Sequence, residues 1–185
     1  MNVVSRVQSI LRADPVRWHA LAVVQALNLP DSWIGAGFVR TIVWNHLHGR
    51  PSSPLIGDVD VIWYCRGRTE PEEDRRIQAS LYAAAPSVDW SVKNQARMHL
   101  RNGDPPYASS TDAMRHWPET ATAVAIRRLG SEDCEIAAPF GLDDLLNLIL
   151  RPTPGFVGDK RGIYEERIET KNWKGVWPLL QEADA

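Results

Sequence analysis

Trp33-Ile34-Gly35-Ala36-Gly37-Phe38-Val39-Arg40 is a short apolar run that breaks into two glycines and resumes at once with helical spacing, Phe38/Ile42 and Val39/Val43/Leu47. Such a pattern predicts a strand that turns directly into a helix. That turn leaves backbone N–H groups free at the helix N-terminus, where they and the helix dipole attract an anion. A loop of prolines, serines and glycine, Pro51 to Gly57, separates it from a second apolar run, Asp58-Val59-Asp60-Val61-Ile62-Trp63-Tyr64-Cys65. Side chains two apart on a strand share a face, so Asp58 and Asp60 project together, roughly 7 Å apart along the strand. Two carboxylates so placed repel each other, and a divalent cation with hard oxygen ligands relieves the repulsion.

Working outward, Val3, Val4, Val7, Ile10 and Leu11 predict an amphipathic helix over residues 3–13. Asp14-Pro15 restarts the chain as an N-cap with proline in the first turn, giving a second helix to about Leu27. Beyond the Asp58–Cys65 strand, an acidic first turn from Glu70 to Asp74 opens a helix that Pro86 ends. Val88–Lys93 reads as a third strand and Gln95–Arg101 as a short helix. Alternation from Thr120 to Ile126 predicts a strand, and Leu129–Asp133 turns into another, Cys134–Ala138. Leu142, Leu145, Leu146, Ile149 and Leu150 stripe a further helix. Thr153–Gly162 reads as a mobile Pro- and Gly-rich loop, and Trp173, Val176, Trp177 and Leu180 as a closing helix or turn. The expected architecture is α/β (α+β): one domain over 1–185, with N-terminal helices (1–31), a core (32–150) in which a small mixed β-sheet is flanked by helices, and a C-terminal extension (151–185).

With 185 residues, 44% apolar and 24% charged, the composition is that of an ordinary globular protein large enough for one full core. A formal charge of −2 supplies no basic field for a long nucleic acid. No apolar stretch approaches a membrane span and no signal-peptide segment opens the chain, so the expectation is a cytoplasmic protein. Cys65 and Cys134 form no metal-binding pair and read as small buried residues. Most of the eight tryptophans read as core, with one or two available to stack on a base.

The strand–glycine–helix turn and the Asp-x-Asp strand together resemble the nucleotidyltransferase superfamily typified by DNA polymerase beta and the aminoglycoside nucleotidyltransferases. Within it, the chain is similar to a bacterial nucleotidyltransferase-like branch. The closer likeness rests on Ala36–Arg40, Asp58–Val61, Trp90–His99, Trp117–Val124 and Ala138–Leu145, and runs from about Trp18 to Trp177. It implies a nucleotidyltransferase fold. It also implies an enzyme that binds ATP or another nucleoside triphosphate with magnesium (or manganese) and moves the nucleoside monophosphate to an unknown hydroxyl or phosphate acceptor, most simply a small molecule. Gly35 and Gly37 would form the turn, Asp58 and Asp60 would hold metal, and Arg40 would reach the triphosphate. A third carboxylate, the base, is expected on the next strand. Asp89 is the acid there, and Glu135 is the competitor. Ala36 departs from the superfamily turn, which has Gly-Ser or Gly-Gly.

Lys93, Arg97 and Arg101 recur every four residues and read either as a phosphate-binding row or as a solvated cationic face. Asn94 and Gln95 either read a base edge or bond loop backbone, and His99 reads as a structural histidine or a substrate contact. His46 and His48 read as surface or capping residues, Glu119 as a local cap or a functional acid, and Asp143 and Asp144 as helix-dipole partners. The alternative to an enzyme is a non-catalytic nucleotide- or partner-binding module on the same fold.

Overall fold

The computed structural model describes residues 2–184. Two helices come first, α1 (Val3–Arg12) and α2 (Pro15–Ala26), then β1 (Trp33–Gly35), α3 (Gly37–Leu47) and β2 (Val59–Trp63). Next are α4 (Pro71–Ala84), β3 (Trp90–Asn94), α5 (Gln95–Asn102), α6 (Ser110–Met114) and the hairpin of β4 (Ala125–Leu129) with β5 (Asp133–Ala137). The chain closes with α7 (Asp143–Leu146), β6 (Ile149–Leu150), α8 (Arg161–Lys171), α9 (Trp173–Val176) and β7 (Gln181–Glu182). The main sheet has the order β3-β2-β1-β4-β5; β2 and β3 run parallel, and the other pairs are antiparallel. This is the small mixed sheet flanked by helices that the sequence predicts.

Register divides the sheet into two faces. Val59 pairs with Trp90 and Val61 with Val92, and these residues join Ile34 and Ile126 in the principal core beneath α1, α2 and α3. The opposite face carries Asp60 beside Ser91, Ile62 beside Trp33 and Gly35 beside Ala125. Met114 and Trp117 cover part of this second face through a smaller cluster with Trp33, Ile62, Ala125 and Ala137. α4 runs along the β3 edge, where Gln78 Oε1 accepts from the Val92 N–H at 3.3 Å and Asp74 Oδ1 from the Asn94 N–H at 2.9 Å. Those bonds satisfy strand donors that an open edge leaves unpaired.

From the N-terminal helices, Arg17 of α2 reaches a small crevice that Gly37, Phe38, Thr41 and Asp58 also line. Asp14 caps α2 through the Arg17 N–H at 2.9 Å, and its other oxygen pairs with the Arg17 guanidinium at 2.6 Å. Both side chains are 1% exposed. Arg17 then donates to the carbonyls of Phe38 (3.2 Å) and Ser53 (3.0 Å), and the Ser52 hydroxyl bonds Asp14. The Pro51–Gly57 loop is thereby held against the first turn of α3.

Three sequence expectations differ from the structure. Thr120–Val124 is a turn rather than a strand. All five residues are buried, so the alternation of threonine and alanine carries no in–out meaning, and the strand begins only at Ala125. The leucine stripe makes a helix of four residues only, because Leu148 turns left-handed (φ 59°) and Ile149–Leu150 pairs in parallel with Gln181–Glu182. The segment expected to be a mobile loop folds as two short 3₁₀ turns with Phe156 buried, and feeds α8. The tryptophans are mainly core: Trp44 meets Trp173 and Trp177 edge-on at 5.9 and 5.2 Å, and Trp177 donates to Asn45 at 2.8 Å. Cys134 is buried, Cys65 is half-buried, and both are free thiols.

Candidate active site

The β1–α3 turn carries the local strain of the site. Ala36, the N-cap, has φ 52° and ψ −121°, a conformation that favours glycine and costs another residue about 1–3 kcal/mol. It is held by its N–H, which donates to the Val124 carbonyl at 2.9 Å, and by its carbonyl, which accepts from the N–H groups of Val39 and Arg40. The N–H groups of Gly37 and Phe38 have no acceptor among the described residues, as the first turn of a helix requires. The two glycines serve different ends. A Cβ on Gly35 meets the Trp117 ring at 2.8 Å, so Gly35 is needed for packing. A Cβ on Gly37 meets only Arg40 Nη2, at 3.5 Å.

Asp60 lies on the sheet's second face and lines a cleft of about 390 Å³. Burial, and then the negative charge of Asp58, push its carboxyl up to about 6, against a hydrogen bond from Ser91 and the charges of Lys93 and Arg167. Asp58 is exposed at the start of the strand and lines a small crevice with Gly37, Phe38, Thr41 and Arg17. Around Asp60 the cleft carries three cations, Lys93, Arg101 and Arg167. It also carries the amides of Gln95 and Asn102, the hydroxyl of Thr122 and the ring of Trp117.

Arg40, 8% exposed, lines a neighbouring pocket with Trp173 and Trp177 and meets the Asp60 cleft through Thr122. One terminal nitrogen donates to the Thr122 hydroxyl at 3.1 Å, its guanidinium lies over Trp173 (4.3 Å) and Trp44 (5.1 Å), and its Nε has no partner. It forms no ion pair among the described residues. Burial lowers its pKa to about 10, opposed by Glu119 and Asp60 and reinforced by Arg167. A buried guanidinium without a bonded carboxylate is costly unless an anion joins it.

The other sequence candidates part company here. The Asp89 carboxylate accepts from the Tyr82 hydroxyl of α4 at 2.7 Å, and Glu135 pairs with Arg127 at 2.6 Å on β5, at the opposite edge of the sheet. No group of three acidic, histidine or cysteine side chains able to hold a metal occurs among the described residues, so neither acid joins the pair as expected. The position beside Asp60 on β3 belongs to Ser91. Arg97 is drawn away from the cationic row to Asp74 of α4, while Lys93 and Arg101 reach the cleft. Asn94 is spent on backbone: it accepts from the N–H groups of Cys65 and Ala96 and donates to the carbonyls of Cys65 and Arg68. His99 stacks edge-on against Tyr107, and His48 bonds the Trp44 carbonyl at 2.7 Å. Asp144 accepts from Thr120 and Arg151, and Asp143 is exposed in the first turn of α7. The residue that sequence reasoning missed is Arg167. Its only signal was the periodicity of Tyr164 and Ile168 around it, in a stretch read as extension.

An acid pair on a strand that neighbours a strand–turn–helix anion site, ringed by cations, defines a phosphate-handling α/β enzyme of the nucleotidyl-transfer class. The chain matches the family model described as nucleotidyltransferase over residues 22–181 and belongs to that family. Among solved structures, it is 34% identical to a protein whose NMR structure is described as revealing a CCA-adding enzyme head domain. The TM-score is 0.86, with 98% of this chain and 96% of that one covered. The CCA-adding enzyme of Bacillus stearothermophilus in complex with CTP is 20% identical with TM-score 0.51, covering 83% of this chain and 38% of that one. A CCA-adding enzyme with ATP is 16% identical with TM-score 0.51, covering 88% and 41%. The last two likenesses concern the fold, and the chain spans roughly two-fifths of those enzymes. No curated protein matches the sequence. No described helix is long and apolar enough to cross a membrane.

Proposed function

We propose that this nucleotidyltransferase moves a nucleoside monophosphate from a nucleoside triphosphate onto a hydroxyl or phosphate of a small acceptor, using Asp58 and Asp60 with magnesium or manganese. The observation that carries the reading is the pairing of opposites in one place. Asp60, a carboxyl pushed up by burial and by Asp58, lines a cleft that meets, through Thr122, Arg40, a buried cation with an unpartnered Nε. Each is destabilised alone, and a metal–triphosphate complex satisfies both.

Two carboxylates fit magnesium, which is commonly held by one or two acids together with waters and substrate phosphates. When bound, such an ion neutralises charge on the transferring phosphate and on the departing pyrophosphate. The chain's own part is positioning. Free N–H groups of Gly37 and Phe38 and the guanidinium of Arg40 hold phosphate oxygens, and Lys93 and Arg101 extend the positive lining. Trp117, Gln95 and Asn102 offer a stacking face and amide contacts for a base or an acceptor. The acceptor oxygen attacks the α-phosphorus, and the bond to the β-phosphate oxygen breaks to release pyrophosphate. A chain of net charge −2 favours a small acceptor over a long polyanion.

The rival, a nucleotide-binding module without turnover, is favoured by one observation: Ser91 rather than an acid stands beside Asp60. Pyrophosphate release from each of the four triphosphates, in the presence of a metabolite extract and magnesium, separates the two. Metal-dependent release that Asp60→Asn abolishes supports the enzyme. Tight triphosphate binding with no release under any acceptor supports the module.

A further inference from the structure

We infer that Arg167, on the C-terminal helix α8, is a phosphate-binding residue for the donor nucleotide, held in place by Glu119. The inference rests on reading the Asp60 cleft as the triphosphate site, and adds to it a cation from outside the strand–turn–helix motif.

Among the described residues, Arg167 is hydrogen-bonded at a single nitrogen. Its Nε donates to Glu119 Oε1 at 2.6 Å, and Glu119 is fully buried. Its two terminal nitrogens make no hydrogen bond among the described residues, and about a third of the side chain (32%) is exposed. The buried Arg17 shows the contrast. Arg17 is 1% exposed, and Asp14, Phe38 and Ser53 all accept from its guanidinium. A latch for α8 alone has no need of an open fork, whereas planar recognition of phosphate uses one.

Position and electrostatics agree. Arg167 lines the same cleft as Asp60, Ala36 and Thr122. Its guanidinium lies 5.4 Å from the centre of the Trp173 ring, and Arg40 approaches the same ring at 4.3 Å. Glu119 and Trp173 thus fix the direction of the fork, which lowers the ordering cost of binding. One carboxylate, Glu119, serves two neighbouring cations, and its second oxygen is buried without a partner. Of the two positive charges of Arg40 and Arg167, one is left over for an anion.

Calorimetric titration of the full chain with inorganic tripolyphosphate, with and without magnesium, tests this. Arg167→Met is expected to weaken binding about tenfold or more, and Arg167→Lys, a point charge without the fork, to fall between. Glu119→Gln keeps the hydrogen-bond acceptor but removes the charge that neutralises Arg167 and Arg40, so binding is expected to tighten several-fold. Should Arg167→Met fail to fold, the double variant Glu119→Gln/Arg167→Gln retains a neutral hydrogen-bonded latch and is expected to lose affinity similarly. Unchanged affinity in Arg167→Met or in the double variant, while Arg40→Met loses binding, overturns the inference and leaves the cleft reading standing. Equal affinity in the unmodified protein and Arg40→Met, or none in the unmodified protein, removes the cleft reading and this inference with it.

Discussion

Asp60→Asn is expected to make the metal-free protein more stable at neutral pH, although it removes a residue proposed to hold the metal. The Asp60 carboxyl sits at about 6 in the folded chain against an ordinary value of 3.8, chiefly because it is buried and secondarily because Asp58 repels it. Below pH 4 the group is protonated in both folded and unfolded chains, and there is no penalty. Between about pH 4 and 6 the unfolded chain has released the proton and the folded chain still holds it, so stability falls as pH rises. Above 6 both forms are ionised and the loss is complete. A rise from 3.8 to about 6 corresponds to about 3 kcal/mol. Solvent screening of a part-exposed carboxylate reduces this to about 1–3 kcal/mol. Asparagine neither titrates nor repels Asp58, and it still accepts from Ser91.

The assay is thermal and urea unfolding of both proteins in chelator from pH 4 to 8, read as the difference between them. At pH 4 the curves should nearly coincide. By pH 7.5 the variant should melt higher by about 2–4 °C for each kcal/mol regained. Added magnesium should then raise the unmodified protein and leave Asp60→Asn unmoved, because a ligand stabilises only the state that binds it. A variant no more stable than the parent at pH 7.5, or a difference that does not grow between pH 4 and 6, refutes the reasoning about Asp60.

Arg40→Ala should weaken triphosphate binding at least tenfold by calorimetry while changing magnesium affinity little, since Arg40 is bonded to Thr122 and to neither Asp58 nor Asp60; equal triphosphate affinity removes Arg40 from the site. Ala36→Gly should stabilise the fold by about 1 kcal/mol in urea unfolding, because glycine adopts φ 52°, ψ −121° without the Cβ clash. Trp177→Ala should cost about 3–5 kcal/mol, from the lost packing against Trp44 and the unpaired Asn45 amide, and a loss under 1 kcal/mol contradicts the docked C-terminal segment.

What could be read in advance follows from range. The strand–turn–helix and the acid pair are local: glycine spacing, a period of two and a period of three to four residues place Gly37, Arg40, Asp58 and Asp60 without knowledge of the rest. The third acid was different, because strand order and register are properties of the assembled sheet. Asp89 lies one residue before β3 begins, and its side chain answers to Tyr82 of α4, not to the strand's alternation. Arg97 likewise follows Asp74 across α4 instead of its own four-residue spacing. Arg167 was hidden because nothing near it in sequence refers to a cleft. It reaches the site only because Trp173, Trp177 and Tyr164 bury the C-terminal segment against the core.

Three departures from ordinary protein economy meet at one place: an alanine in a glycine conformation, a carboxyl raised by burial and an arginine lowered by it. Elsewhere the same chain settles comparable demands with care. Asp14 and Arg17 are buried but bonded to each other and to three further groups, and Asn94 satisfies four loop and helix contacts. A sequence able to satisfy buried polar groups there has left them unsatisfied beside the β1–α3 turn, where the local conflicts have opposite charges and Thr122 of the Asp60 cleft accepts from Arg40. Conflicts of random origin have no reason to be complementary in this way. In the proposed reading, a cation beside Asp58 and Asp60 and phosphates against Arg40 and the free N–H groups of α3 would resolve the carboxyl and guanidinium conflicts together, and would give the strain at Ala36 a use, since that turn leaves the N–H groups of Gly37 and Phe38 without an acceptor among the described residues.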